Sequence, residues 1–213
     1  MIGRLHLRPA VWAPALILGL AAAATLSLGV GAVWLAPEQV ARALLTPHSA
    51  DAIASVVTIV WDLRLARVLL AALVGAGLAG SGAAFQGMFR TPLADPFMIG
   101  ASGGAALWAT LAILGKVNLG SATVPAAAFM GAMLAVMTVY GITLASGANS
   151  ATALLLAGAA LSTILSAVVS LLMLMNDRAI QEIFAWLLGG FSGRSWPQLA
   201  MSGPPILVGL GML

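Results

Sequence analysis

The sequence predicts an all-α integral membrane protein, a polytopic bundle of transmembrane helices with about six spans, the sixth of them incomplete. The first reason is composition, because 62% of the 213 residues are hydrophobic and 7% are charged, unlike soluble domains. The second is that several uncharged runs reach the length of about 20 residues that a helix needs to cross a bilayer. The third is that clusters of proline, glycine and polar residues separate those runs, as turns do.

Charge and cysteine content narrow the functional classes. The nine basic and six acidic residues are scattered singly, so we expect no nucleic-acid partner despite a pI near 10.7. The absence of cysteine excludes disulfides, thiolate metal sites and sulfur nucleophiles. The single lysine, Lys116, is followed by Val117, so the sequence contains no Gly-x-x-x-x-Gly-Lys-Ser/Thr phosphate loop. We therefore expect a chain that is not an enzyme and holds no metal or cofactor of its own.

The first span is predicted at 9–36, an uncharged stretch with Trp12 near one end and Trp34 near the other, as suits the two membrane interfaces. It is about twice as long as the apolar core of a signal peptide, so we interpret it as an uncleaved helix. The next section, 37–66, leans polar and predicts an extracytoplasmic loop, with a short interfacial helix at its apolar patch 53–61. The polar residues of this loop include Glu38, Arg42, His48, Asp51 and Asp62.

The second span is predicted at 67–89, where Arg64 and Arg67 precede 22 uncharged residues and Arg90 closes the run. Charges therefore mark both ends of an apolar helix. Small residues recur at every fourth position of this span, which lets helix backbones approach closely where lipid provides no hydrophobic drive for association. We predict that this helix packs at the centre of the bundle. The predicted packing row consists of Gly75, Ala79, Ala83 and Gly87.

A turn is predicted directly after the second span, because proline lacks an N–H group and disfavours helix before itself. The turn motif consists of Pro92, Asp95 and Pro96. The third span is then predicted at 97–115, which carries no charge before Lys116.

The entrance of the third span raises one alternative function. It contains Gly100-Ala101-Ser102-Gly103, which resembles the nucleophile motif of rhomboid proteases, where a serine needs a histidine base on a later helix. The two histidines, His6 and His48, precede Ser102 and lie outside the apolar runs. Their positions argue against a membrane protease.

Sixty residues without a charge follow, from 117 to 176. This stretch is too long for one crossing and is broken at 146–150, so a fourth span is predicted at 123–145 and a fifth at 151–175. Serines recur at every fourth residue of the fifth span. Helix packing and the lining of a polar translocation pathway are two interpretations of this serine stripe that the residues alone leave open. The stripe consists of Ser162, Ser166 and Ser170.

The remaining residues predict an interfacial segment at 178–196, rich in glycine and tryptophan, and the start of a sixth span at 198–213. The sixth run holds fewer than the about 20 residues of a full crossing, so we expect the chain to be an amino-terminal portion of a longer protein. A small membrane scaffold or a secondary transporter is the alternative. Secondary transporters usually carry an intramembrane carboxylate, and none of the six acidic residues lies mid-span.

In their order, these motifs resemble the FecCD-type permeases, the membrane subunits of ABC importers for iron-siderophores, haem and cobalamin. The resemblance covers nearly the whole chain from residue 35 onward. Two departures are Ala66 in place of a family proline and Thr91 in place of a family asparagine. The family motif Arg-Leu-Pro-Arg corresponds to 64–67, its glycine-rich helix ending near Gln to 75–86, and its Asn-Pro-Leu-Ala-Asp-Pro turn to 91–96. Its Leu-Gly-x-x-x-Gly-Ala entrance corresponds to 99–105 and its Trp-to-Trp stretch to 186–196.

The resemblance implies a multi-pass protein of the bacterial inner membrane whose complete fold has roughly ten helices. It implies a homodimer with a second permease copy, cytoplasmic ATP-binding subunits that hold ATP and Mg, and a periplasmic substrate-binding protein. Arg64 and Arg67 match family arginines that meet glutamates of the binding protein. Guanidinium groups suit that role, because their planar fork fits carboxylates.

The resemblance also places the fifth helix beside the translocation pathway, which favours the pathway interpretation of the serine stripe. The family loop that engages the ATPase follows the sixth helix, so we expect this portion to be inactive alone. The cargo stays open, because a pathway of serine, glycine and methionine suits siderophores, haem and cobalamin equally. The family orientation leaves more basic residues outside than inside, against the positive-inside rule. We favour it because docking arginines account for part of that excess.

Overall fold

The computed structural model describes residues 9–46, 54–92, 94–117, 120–147 and 150–213, with side chains described from Trp12 onward in the first range. Every regular element in these ranges is helical. The predicted loop residues His48 and Asp51 lie outside the described residues. The elements are α1 (Pro9–Gly29), α2 (Pro37–Leu45), α3 (Ala54–Thr58), a π-helical turn (Ile59–Leu65), α4 (Ala66–Phe89), a 3₁₀ turn (Pro96–Ile99), α5 (Ala101–Leu114), α6 (Thr123–Ala145), α7 (Ala151–Leu174), a short 3₁₀ turn (Asp177–Ala179), α8 (Ile180–Leu188) and α9 (Trp196–Gly211).

The helix that contains the second predicted span is longer than the charge pattern indicated. It is continuous over Ala54–Phe89, 36 residues, where the sequence predicted a loop up to 66 with a short interfacial helix. The reason is that this segment has no proline and no glycine before Gly75, and charged residues do not break a helix. At Ile59–Leu65 the helix takes the wider π-helical form. This form is rare in proteins, and where it occurs it is often at a functional site. The start of the membrane span at residue 67 of this helix stays a prediction.

The turn after α4 is closed by Asp95. Its carboxylate accepts a hydrogen bond from the N–H of Phe97 at 2.8 Å and so caps the 3₁₀ turn. Gly100 then takes a left-handed conformation with φ of 91°, which ends that turn and starts α5. As a result α5 has 14 residues, fewer than the third span predicted at 97–115 and fewer than the about 20 of a full crossing.

Four helices in the described ranges are long and apolar enough to cross a membrane. Large hydrophobic side chains on them, such as Leu20 on α1 and Leu156 on α7, are exposed, which suits contact with lipid. The fold class predicted from composition, an all-α membrane protein with several spans, is therefore confirmed, while the count of six stays a prediction. The four candidates are Trp12–Gly29, Ala54–Phe89, Thr123–Ala145 and Ala151–Leu174.

The chain divides into two compact units, of which unit 1 comprises the chain up to Val74 and the segment Phe191–Gly203. Its core joins the end of α1, the inner face of α2 and the π-helical turn. The α2 helix is amphipathic, with Glu38 and Arg42 exposed on the face opposite its buried residues. The core residues are Leu28, Leu35, Val40, Ala43 and Val60.

Unit 2 comprises Gly75–Gly190 and Pro204–Leu213. Here α5 packs against both α6 and α7, and a smaller apolar core lies under α8. Backbones approach closely at glycines, because a Cβ added to Gly104 would overlap the carbonyl oxygen of Gly131 on α6. Small residues permit such contacts between membrane helices. The core residues under α8 are Ile113, Val169, Met173 and Ile183.

Candidate functional site

Arg64 holds the turn that follows α1. Its Nη1 donates a hydrogen bond to the carbonyl oxygen of Leu28 at 2.6 Å, and its Nη2 donates to the carbonyl oxygen of Val33. Carbonyl groups in the last turn of a helix lack partners within that helix, so the guanidinium caps the C-terminus of α1. Gly31 lies against the same group, since a Cβ there would stand 2.9 Å from Nη2. Both terminal amino groups of Arg64 are thus engaged inside unit 1.

Arg67, one helical turn further along, makes a different contact. Its Nε donates to the carbonyl oxygen of Arg194 at 3.3 Å. Beside it, the indole N–H of Trp196 donates to the carbonyl oxygen of Trp61 at 3.1 Å. The indole N–H of Trp61 in turn donates to the carbonyl oxygen of Ala43, at the end of α2, at 2.8 Å. Within unit 1 these bonds join α2, the π-helical turn, α4 and the start of α9.

Among the described arginines of unit 1, some have a carboxylate partner and others have none. Arg42 forms an ion pair with Glu38 one turn away on α2, and both side chains are exposed. In the described ranges, no carboxylate lies within ion-pair distance of Arg64, Arg67 or Arg194. A guanidinium group with free terminal amino groups is well suited to bind a carboxylate, whereas those of Arg64 are already bonded to carbonyl oxygens. Among the described residues, no group of three histidine, aspartate or glutamate side chains is placed to hold a metal ion.

The serine stripe of α7 divides into a packed part and an exposed part. A Cβ added to Gly103 of α5 would stand 3.1 Å from the Cα of Ser162, and the Ser162 hydroxyl is buried without a hydrogen-bond partner among the described residues. Ser166 and Ser170 are exposed, and the hydroxyl of Ser170 donates to the carbonyl oxygen of Ser166 at 2.9 Å. Ser162 thus packs against α5, and a pathway role for Ser162, Ser166 and Ser170 stays a prediction.

The small-residue row predicted to pack α4 is exposed among the described residues, and the buried residues of α4 there are Ala66 and Leu70. A position of α4 at the centre of the bundle stays a prediction. A neighbouring face of α4 meets α9 instead, where a Cβ on Gly77 would stand 3.1 Å from Ile206 and one on Gly80 would stand 2.7 Å from Leu210. Packing through the predicted row requires a helix outside the described residues and stays a prediction. The row is Gly75, Ala79, Ala83 and Gly87.

Sequence reasoning assigned no role to Arg194, which lay within the predicted interfacial segment. Its contact Arg67 is 127 residues away along the chain, so no local pattern joins the two. One signal was present. Ser195 and Gln198 follow the Ser-x-x-Gln capping pattern, and the Gln198 side chain accepts a hydrogen bond from the Ser195 N–H at 2.9 Å. That pattern places Arg194 immediately before the start of a helix.

Among the curated relatives of this chain are two transport proteins. The cobalamin import system permease protein BtuC of Halobacterium salinarum is 43% identical over 157 residues, 73% of this chain and 42% of that protein. The molybdate import system permease protein MolB of Haemophilus influenzae is 35% identical over 188 residues, 87% of this chain and 55% of that protein. The chain thus spans about half the length of these relatives.

A solved structure and a family model both match this chain. A solved metal-chelate type ABC transporter in an inward-facing conformation has 30% sequence identity and a TM-score of 0.72, covering 92% of this chain and 59% of that one. The model of the FecCD transport family matches residues 19–213. These matches confirm the resemblance predicted from the motifs, and the chain belongs to the FecCD transport family.

Proposed function

We propose that this chain is a transmembrane permease subunit of an ABC importer that moves an iron chelate, haem or cobalamin across the inner membrane. The chain is a multi-pass inner-membrane protein of a transport family, and the match over residues 19–213 carries the proposal. Importers of this family act with an ATP-binding subunit and a substrate-binding protein. We propose that this chain itself hydrolyses nothing and holds no cofactor, with ATP and Mg bound in the partner subunit.

Three features support parts of this arrangement. Arg64 lies in the π-helical turn and Arg67 in the first turn of α4, and docking of a substrate-binding protein at these two arginines is part of the proposal. We also propose that 37–66 lies outside the cytoplasm. The exposed small-residue row of α4 is a surface for another helix, which supports a homodimer or further helices of the same subunit. The exposed hydroxyls of Ser166 and Ser170 support a pathway along α7.

The cargo class is the part of the proposal that most needs measurement, because relatives are named for cargoes as different as cobalamin and molybdate. The chain, and the longest form that its reading frame encodes, are reconstituted in lipid vesicles with the ATPase and substrate-binding protein of the same transport system. We expect cobalamin, haem or a ferric siderophore to stimulate ATP hydrolysis and to accumulate inside. Stimulation by molybdate alone would overturn the chelate assignment.

Two other outcomes test the function itself. Uptake of cargo that continues without the ATPase, driven by an ion gradient, would make the protein a secondary transporter. If neither form of the chain binds the ATPase or moves any of these cargoes, the protein is a membrane scaffold and the permease proposal is wrong.

A further inference from the structure

We infer that unit 1 binds one acyl chain of a membrane phospholipid, in a cavity between the C-terminal end of α1 and the α2 helix. The cavity has a volume of about 380 Å³, and all of its lining residues belong to unit 1. The inference goes beyond the proposed function, because a lipid site of this kind does not depend on what the protein transports. The lining includes Leu26, Leu28, Trp34, Val40, Ala41 and Leu44.

The walls of the cavity are apolar, because α1 and α2 both contribute aliphatic side chains to it. No charged side chain is among the described residues that line it. Among those residues, the hydroxyl of Thr25 donates to the carbonyl oxygen of Ala22 at 2.9 Å, so it is already satisfied within α1. Apolar cavities exclude water and bind apolar ligands, because water finds no hydrogen-bond partners there. The lining therefore favours a hydrocarbon occupant.

The size of the cavity favours an acyl chain over a neighbouring helix. A helix with its side chains is about 10–12 Å across and rises about 5.4 Å per turn, so one turn occupies roughly 400–600 Å³. The cavity, at about 380 Å³, is smaller than that. A helix packed beside it can place only single side chains inside. An acyl chain is as thin as an extended aliphatic side chain and can enter along its length.

The cavity opens on the apolar surface of α1. Leu26 and Trp34 line it and are 64% and 69% exposed, so they form its mouth. Leu16 and Leu20 are exposed on the same helix, within the candidate membrane span Trp12–Gly29. The mouth is thus continuous with a surface that suits contact with lipid. The indole of Trp34 suits the boundary between headgroups and acyl chains, which is the depth at which an acyl chain begins.

The inner wall of the cavity is formed in advance. Leu28 and Val40 line it, and both belong to the core of unit 1. Arg64 fixes the end of α1 by donating to the carbonyl oxygen of Leu28 at 2.6 Å. A preformed site costs less entropy to occupy. We therefore expect a bound lipid that exchanges more slowly than the lipid around the rest of α1.

The test uses the longest encoded form of the chain, stripped of lipid in maltoside micelles. The probe is a phosphatidylcholine with a diazirine at the end of one acyl chain, and peptide mass spectrometry locates the adducts formed by light. We expect labelling of 34–44 to saturate at about one lipid per chain, because the cavity holds a single acyl chain. Labelling of 16–20 on the open surface of α1 should rise in proportion to the probe.

Two variants of α2 give a matched pair. Ala41→Trp fills the cavity and should lower the labelling of 34–44 by about fivefold or more, because the indole takes the place of the acyl chain. Leu45→Trp adds an indole at a position that is 81% exposed and does not line the cavity, and should stay within about twofold of the parent. Added phosphatidylcholine should raise the melting temperature of the parent and of Leu45→Trp, but not that of Ala41→Trp.

Three results would overturn the inference, and the first and third need no variant that folds. They are labelling of 34–44 that rises without saturation, equal labelling in Ala41→Trp and Leu45→Trp, and labelling of 16–20 with none at 34–44. The last would show that another helix of the protein covers the mouth of the cavity. Each of these results leaves the proposed function standing, because none of them measures transport.

Discussion

Unit 1 and unit 2 differ in the contacts that join their helices, which are side-chain hydrogen bonds in unit 1 and close glycine contacts in unit 2. In unit 1, side-chain donors reach backbone carbonyls of distant segments, as Arg64 reaches Leu28 at the end of α1. In unit 2, helices meet where neither has a side chain, as Gly104 of α5 meets Gly131 of α6. The first kind of contact is a sum of separable hydrogen bonds, and the second is a steric fit that any added carbon disrupts.

This difference predicts how each unit responds to mutation. Losing one donor in unit 1 removes one bond and leaves the neighbouring bonds in place. Adding one methyl group at Gly104 or Gly131 forces α5 and α6 apart, because the carbonyl oxygen of the facing glycine is in the way and no rotamer change can move it. We therefore expect graded losses of stability when hydrogen bonds of unit 1 are removed, and all-or-none losses when a carbon is added at the close glycine contacts of unit 2.

The largest effect is expected for Gly104→Val. Its Cβ would overlap the carbonyl oxygen of Gly131 and stand 2.5 Å from the Cβ of Ala135. We expect a cost of about 3 kcal/mol or more, enough to abolish the folded protein, since overpacking without relief is severe. Size-exclusion profiles and melting temperatures in detergent measure this. The matched control is Gly141→Val on α6, where an added Cβ meets nothing within 4 Å, and a native-like profile for Gly104→Val would contradict the steric account.

Arg64→Ala should give the largest loss in unit 1. It removes two hydrogen bonds from a charged donor to carbonyl oxygens, so we expect the free energy of unfolding to fall by roughly 3 kcal/mol. Arg178→Ala, at an exposed position without a described hydrogen bond, should change it by less than about 0.5 kcal/mol. Equal melting temperatures for the two variants would show that the Arg64 bonds contribute nothing net.

The two tryptophan bonds of unit 1 should behave as separable contributions. Trp61→Phe removes the donor to Ala43 and Trp196→Phe removes the donor to Trp61, and each should cost about 1 kcal/mol. Trp34→Phe is the control, because that side chain is 69% exposed. A double variant that unfolds completely, where each single variant melts near the parent, would make unit 1 as cooperative as unit 2 and remove the contrast between them.

The sequence predicts most where the physical signal is local. The length of the uncharged stretch and its turn residues predicted spans at 123–145 and 151–175. The helices α6 and α7 cover the same residues to within one position. Charge predicted less well, because the helix before α4 continues through Asp62 and Arg64. Charged residues mark where a span can end and do not mark where a helix ends.

Contacts between segments far apart along the chain could not be predicted from the sequence. On α4, Gly77 and Gly80 approach side chains of α9, which lies more than a hundred positions later in the sequence, whereas a Cβ added to Gly75 or Gly87 of the predicted row would meet nothing within 4 Å. The spacing of small residues along one helix does not show which of them face a neighbour. For the same reason the contact between Arg67 and Arg194, 127 residues apart along the chain, could not be predicted from local spacing.

The smallest effects concern buried hydroxyl groups in unit 2, and one of them should be favourable. Thr110 is 1% exposed and its hydroxyl has no hydrogen-bond partner among the described residues, whereas the buried Thr143 hydroxyl donates to the carbonyl oxygen of Val139 at 2.8 Å. Thr110→Val should therefore raise the free energy of unfolding by up to about 1 kcal/mol, and Thr143→Val should lower it by about 0.5 kcal/mol. A loss of stability in Thr110→Val would show that its hydroxyl has a partner.

The same comparison divides the serine stripe by function. The Ser162 hydroxyl is also buried without a described partner, so Ser162→Ala should leave stability unchanged or raise it slightly. If the stripe only packs helices, transport by this variant and by the exposed Ser166→Ala should match the parent. A transport rate that falls in Ser166→Ala at unchanged melting temperature would place that hydroxyl on the pathway. Ser162→Ala then separates the two, because a purely packing residue should keep the parent rate even in a protein whose pathway runs along α7.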